Sequence, residues 1–203
     1  MRKGLRTRGT ILEKAAPVFN TRGFFGTSVE DLVRATGLQK GGLYNHYASK
    51  EALALAAFDF TAAQFRARFA EVVEGKLTHV ERLIAIAGVM LRNYDDPVVD
   101  GGCVVFNTAI ESDDAHPVLR QKAKDAMQDL LRFVGHHLKL GIQSGELRGD
   151  VDARMVTSVI VSICEGAVAL SKLYDDPAHV RSATAFVAAY VRSLAAPPKE
   201  AKK

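Results

Sequence analysis

Gln39, Lys40, Tyr44, Asn45 and His46 place five hydrogen-bonding side chains in one short run, QKGGLYNHY. Their chemistry suits the edges and backbone of a DNA duplex. A lysine can donate to O6 and N7 of guanine, and Gln or Asn can pair with adenine through both amide atoms. Gly41 and Gly42 are poor helix formers, but a glycine pair is useful where backbone must approach another surface closely. Thr27 and Ser28 open the preceding apolar segment, and the first turn of a helix attracts phosphate. Tyr44 reads equally as a core aromatic and His46 as a helix-packing residue, so the run alone leaves both alternatives open.

These groups need elements to hold them. Thr27-x-x-Glu30 has the form of a capping box, and Val29, Leu32 and Val33 at i, i+3 and i+4 give a short helix one buried face. Gly37 supplies the positive φ of a tight break. Leu38, Leu43 and Tyr47 then start a second apolar set. Two short helices around such a turn form a helix-turn-helix, whose second helix lies in the major groove. Before it, Ile11, Leu12, Ala15, Ala16 and Phe19 predict a helix over about Thr7–Arg22, bent at Pro17 and ended by Gly23, with Phe24 or Phe25 closing the small core. Residues 1–8 show no periodicity and read as a mobile basic arm.

Charge divides along the same line. Residues 1–50 carry nine Lys/Arg against three Asp/Glu, and residues 51–203 carry 18 against 20, so a net +6 head precedes a net −2 body. A basic head on a slightly acidic body fits a nucleic-acid-binding module joined to a regulatory domain. Two cysteines are too few for a disulfide scaffold, and no apolar run reaches transmembrane length. These features together predict a cytoplasmic protein.

The segments Phe19-Asn-Thr-Arg-Gly-Phe, Thr27-Ser-Val-Glu-Asp-Leu, Ala35-Thr-Gly-Leu, Lys40-Gly-Gly-Leu-Tyr-Asn-His-Tyr and Ser49-Lys-Glu-Ala-Leu resemble the N-terminal domain of the TetR family of bacterial repressors. The match runs without a gap over about residues 8 to 55. The resemblance implies that Tyr44 and Lys50 hold phosphates, while Gln39, Lys40, Gly41 and Asn45 line the groove. It also implies an all-α fold of about nine helices. Residues 1–48 would form a three-helix DNA-binding domain, residues 49–195 a larger effector-binding and dimerisation domain, and residues 196–203 a disordered tail.

The rest of the chain is read as helices. Helix 4 starts at Ser49 and continues to Gly75, and helix 5 covers Leu77–Tyr94. A short apolar helix follows over Cys103–Glu111, and Pro117 opens a long one to Ser144. Helix 8, over about Asp152–Tyr174, is apolar nearly all round and should be buried on both sides. Asp176-Pro177 starts helix 9, which runs to Leu194. Helices 8 and 9 suit either a dimer seam or a monomeric core. The resemblance and the few base contacts available to one small head favour a homodimer on a palindromic operator.

Gly102-Cys-Val-Val-Phe-Asn with Glu111 resembles a subgroup of TetR regulators that includes electrophile- and oxidant-responsive repressors. There the matching cysteine can be the sensor, and Lys172 stands where a partner lysine would. A thiol at the start of a helix has its pKa lowered by the dipole; the competing reading of Cys103 is a small buried hydrophobe. Cys164 reads as structural. A non-covalent effector pocket would be lined by Phe65, Met90, Phe106, Asn107, Met127, Leu131 and Ile163. His136-His137 reads as a solvated pair, and no ligand spacing supports a metal. The expectation is a ligand-responsive DNA-binding repressor without cofactor, metal, membrane partner or enzymatic activity. The alternative is a helical small-molecule-binding protein or enzyme using Cys103 as nucleophile, although no positioned base accompanies it.

Overall fold

The computed structural model describes residues 2–75 and 78–197, and in these it is all-helical. The elements are α1 (Arg2–Arg22), α2 (Val29–Thr36), α3 (Lys40–Tyr44), α4 (Lys50–Val73), α5 (His79–Leu91), α6 (Val104–Ser112), α7 (Pro117–Ser144), α8 (Ala153–Tyr174) and α9 (Ala178–Ser193). The chain divides into two compact units, Met1–Arg66 with Pro97–Met127 and Ala67–Asp96 with Gln128–Lys203, so two of the three boundaries fall inside α4 and α7 and the third between α5 and α6.

The first unit is built on α1. Ile11 and Ala15 pack against Leu32 of α2, Leu43 of α3, Tyr47 and Leu53 of α4. A neighbouring face of α1 meets Ala57 and Val99 through Ala16. The expected mobile arm is helical, since α1 already begins at Arg2. Tyr47 explains this in part: its hydroxyl donates to the Arg8 carbonyl at 3.3 Å, and the Arg8 guanidinium lies 4.5 Å from its ring centre. Burial raises the Tyr47 pKa above its ordinary value, opposed by Arg8. The helix continues through Pro17, whose missing N–H leaves the Glu13 carbonyl without its usual donor.

The cap on α2 differs from the expected one. Ser28 is the N-cap and Asp31 its partner: the Asp31 N–H donates to Ser28 Oγ at 3.1 Å, and the Ser28 N–H returns to Asp31 Oδ2 at 3.0 Å. The Thr27 hydroxyl is already committed to the Gly23 carbonyl at 2.6 Å. Hydrogen bonds from Ser28, and then Arg22, hold the Asp31 carboxyl below the usual range. A second capping box, Thr78 with Glu81, starts α5, and Ser49 Oγ accepts from Ala52 N–H at the head of α4.

The second unit is a packed set of α5, α8 and α9. Leu83, Ile86 and Met90 of α5 are buried, as are Val156, Ile160, Cys164 and Val168 of α8 and Val180, Val187 and Val191 of α9. Each such aliphatic side chain contributes about 1.5–3 kcal/mol by its burial. A short antiparallel bridge between Leu147 and Ala195 fastens the end of α9 to the α7–α8 loop. Ala196 N–H extends it to the Glu146 carbonyl at 2.8 Å, so the start of the expected tail is hydrogen-bonded; residues 198–203 lie outside those described.

Three expectations for this unit change. Helix α8 is long and apolar enough to cross a membrane by length and composition, whereas the sequence reading found no such run. It is also buried on one face only. Met155, Val159, Leu170 and Leu173 are exposed on the other. The solvated histidine pair is correct for His136 alone. His137 is buried, its ring edge-on to Phe133 at 4.9 Å, and its Nδ1 has no hydrogen-bond partner.

Burial, followed by the charges of His136, Arg82 and His79, lowers the His137 pKa below 6.5. The unfolded chain therefore takes up this proton first as pH falls, and stability decreases with acidification below about pH 6.5 until the folded pKa is passed. Thermal unfolding of His137→Gln should show a flatter decline between pH 7 and 5 than the parent. Parallel declines would assign the acid sensitivity to other groups.

Candidate nucleic-acid interface

Helix α3 is only five residues long, and its position is set by Leu43, which is buried, and by Tyr47 just beyond it. That anchoring leaves Gln39, Lys40, Gly41, Tyr44 and Asn45 exposed, with Gly42 and His46 half-buried. Gln39 is the N-cap but makes no side-chain cap bond, so its amide is not committed to the helix end. A Cβ built at Gly41 would meet nothing within 4 Å, and one at Gly42 would touch only Leu38. Both glycines thus present bare backbone on a surface that already carries donors.

The flanking residues divide. Ser28 is exposed at the N-terminus of α2. Thr27 is 1% exposed, which withdraws its side chain from any external phosphate and corrects its place among the contact residues. The resemblance implies a phosphate contact for Lys50. Its ammonium instead donates to the Phe24 carbonyl at 2.8 Å and the Thr27 carbonyl at 2.9 Å, over the face of the Phe24 ring. Only the remaining N–H is free of these two bonds.

The body candidates fall in different units. Phe65, Cys103, Phe106, Asn107 and Met127 belong to the first and are half-buried; Met90, Leu131, Ile163 and Lys172 belong to the second, with Met90 buried and Lys172 exposed. Cys103 is the N-cap of α6, one position before the first turn, and follows Gly101 and Gly102 at φ 116° and 90°. The Cys164 thiol is pushed up to about 12 by burial and by Glu165, which makes it inert. Asn107 is not a free pocket donor. Its amide donates to the Gly101 carbonyl at 2.9 Å and to Asn20 Oδ1 at 3.1 Å.

A cavity of about 30 Å³ lies within the first unit, between Phe19, Phe24, Phe58, Thr61, Val104 and Glu111 among others. It has room for one or two waters, and none of the nine proposed effector residues lines it. Sequence reasoning missed two residues beside it. Asn20 carried no spacing signal, and Glu111 was noted in a motif without a role. No group of three or more metal-ligating side chains occurs among the described residues.

Comparison with known proteins agrees with this layout. The profile of the bacterial regulatory proteins of the tetR family matches residues 11–57, and that of the tetracyclin repressor-like C-terminal domain matches residues 79–187. A TetR transcriptional regulator from Chloroflexus aurantiacus is 38% identical over 96% of this chain and 98% of its own, with a TM-score of 0.91. A TetR-family regulator from Cytophaga hutchinsonii is 32% identical over 97% and 98%, with a TM-score of 0.89. The transcriptional repressor DhaR of Mycobacterium sp. is 23% identical over 82% of each chain. With two family profiles in order and relatives aligned over nearly the whole length, the chain belongs to the TetR family of transcriptional regulators.

Proposed function

We propose that the protein is a homodimeric repressor that docks two α3 helices on a palindromic operator and is released by a small-molecule or thiol-reactive effector. The observation that carries this reading is the exposed set Gln39, Lys40, Gly41, Tyr44 and Asn45 on an anchored α3, within a head of net charge +6. Lys40 and Asn45 read base edges, Gln39 assists at the start of the helix, and Tyr44 and Ser28 hold phosphates. His46 borders the same surface. Lys50 acts chiefly by fixing the loop before α2. In this reading residues 1–48 are the DNA-binding domain and residues 49–195 the effector and dimerisation domain, working in the cytoplasm as a non-catalytic regulator.

The dimer is formed by α8 and α9. Support comes from a stripe on α8, Met155, Val159, Leu170 and Leu173, all exposed, with Phe186 of α9 also exposed. A Cβ at Gly166, in the middle of the stripe, would meet nothing within 4 Å, which leaves room for a close helix crossing. Two heads then meet half-sites about 34–36 Å apart, and a shift of a few ångströms in the body prevents simultaneous docking. A coupling of ~1–3 kcal/mol per site is enough to change occupancy usefully. Cys103 at the α6 N-cap is the thiol through which an electrophile would act; a non-covalent ligand among Phe65, Phe106 and Met127 is the alternative trigger.

The test selects duplexes from a random-sequence pool with the wild-type protein, then titrates the enriched duplex by fluorescence anisotropy. Lys40→Ala should lower discrimination between the enriched and a random duplex by about 1–3 kcal/mol. Repeating the titration after N-ethylmaleimide, with Cys103→Ser as control, separates the triggers. Loss of binding only when Cys103 is present supports the thiol route. Equal loss by Lys40→Ala on both duplexes would remove α3 from base reading.

A further inference from the structure

In the second unit the start of α5 crosses the later part of α7 at close range. A Cβ built on Gly141 would stand 2.8 Å from the Leu147 side chain and 3.1 Å from the His79 Cβ, so α7 has bare backbone where the first residue of α5 passes. Three buried nitrogens of this unit have no hydrogen-bond partner among the described residues: Nδ1 of His79, Nε of Arg82 and Nδ1 of His137. His79 and Arg82 lie one turn apart on α5, and the His79 and His137 ring centres are 6.4 Å apart. His137 is 6% exposed and packs on Phe133, which meets Phe69 at 5.7 Å.

The groups that can carry charge around His137 are all basic. Among the described residues His136, Arg82 and His79 bear on it. The carboxylates at this end of α5 are committed: Glu81 closes the capping box with Thr78, and Glu146 accepts the His79 backbone N–H. From α4 and α8 this part of α7 receives uncharged groups, Phe69 against Phe133 and Thr157 against Gly135. A proton on His137 therefore creates a buried charge beside other cations, with no anion to offset it.

The first residue of α5 is also joined to the end of α9. The Glu146 side chain takes the His79 N–H, and the carbonyl of the same residue takes the Ala196 N–H. Further along, α5 packs on both α8 and α9. We propose that this crossing is a proton-operated release: a proton on His137 undocks the first turns of α5 from α7, and the loss of that support from α8 and α9 weakens the pairing of protomers. This rests on the reading of α8 and α9 as the dimer seam. Burial and the basic neighbours lower the His137 pKa while the crossing is closed, so the open form takes up the proton more readily. Opening is therefore favoured as pH falls below about 6.5, by up to tenfold per pH unit for one proton, until the closed form is itself protonated.

Two measurements on the full chain, each at about pH 7.5 and 5.5, test the release. Amide exchange, corrected for the intrinsic pH dependence of the rate, should show protection at residues 82–86 falling with acid in the wild type and holding in His137→Gln. Sedimentation should show the dimer dissociation constant rising about tenfold more on acidification in the wild type than in His137→Gln. Arg82→Gln removes a permanent charge from the other helix and should blunt both responses, so the test does not hang on one variant. His116→Gln, which changes a histidine of the first unit, should respond like the wild type. Protection of α5 that ignores acid in the wild type overturns the release, and so does a fall that His137→Gln shares in full. A wild type that is monomeric at pH 7.5 removes the seam reading instead, and the exchange measurement then decides the release by itself.

Discussion

Leu173→Glu is expected to convert the protein to a monomer and to lower operator affinity at least ~100-fold, the largest functional effect of any single change considered. Leu173 is 72% exposed in the protomer, on the stripe that includes Leu170 and Met155. Covering these side chains in a seam gains about 1.5–3 kcal/mol each. A carboxylate forced into the same seam loses that gain and must be desolvated without a partner. A monomer presents one α3 and keeps only half the contacts. Sedimentation at micromolar concentration reports the first effect and anisotropy on the enriched duplex the second. A Leu173→Glu protein that sediments as a dimer would move the interface away from this face of α8.

The second large effect is on stability. Gly101→Ala should cost ~3 kcal/mol or more, read as a lower midpoint in urea or heat. Gly101 has φ +116°, where an L side chain is strained, and its Cβ would stand 2.5 Å from the Asn20 carbonyl oxygen. The backbone there cannot yield without breaking the Asn20 bonds to Asp100 and Gly102. Gly41→Ala makes the informative contrast. Nothing lies within 4 Å of its Cβ, and alanine favours helix by ~0.5–1 kcal/mol. The folded protein should gain slightly in stability while operator binding falls, because the added methyl stands where the groove must come. Unchanged binding by Gly41→Ala would mean that α3 does not approach DNA by that face.

Local signals placed most of the helices. Pro117, Gly145 and Asp176-Pro177 mark helix ends by backbone chemistry that needs no tertiary context, and the structure starts or stops helices there. The α2 cap was harder, because Thr27-x-x-Glu30 and Ser28-x-x-Asp31 are overlapping boxes one residue apart. The choice between them depends on Gly23, whose carbonyl takes the Thr27 hydroxyl. The N-terminal arm could not be seen as helix for a similar reason: Arg8 is held by Tyr47, 39 residues away. The surface of α3 was legible because the spacing of Leu43 and Tyr47 fixes what faces out. Asn20, Asn107 and Glu111 were not, since contacts made across 80 residues or more leave no periodic trace. His137 had a readable clue in Phe133, four residues before it on α7.

The packing of α5 against α9 also bears on the order in which the chain can fold as it is made. The partners of Leu83 and Ile86 arrive in α9 roughly a hundred residues later, and the Leu147–Ala195 bridge closes later still. Every residue of the first unit, by contrast, has been synthesised once Met127 has been added. During translation, at ~5–20 residues per second, there is an interval of several seconds in which a nascent chain owns a complete head and lacks α8 and α9. If α8 and α9 form the proposed seam, such a chain can touch DNA only singly. On that seam, the gap between the two closures delays two-headed binding until α8 and α9 have been made.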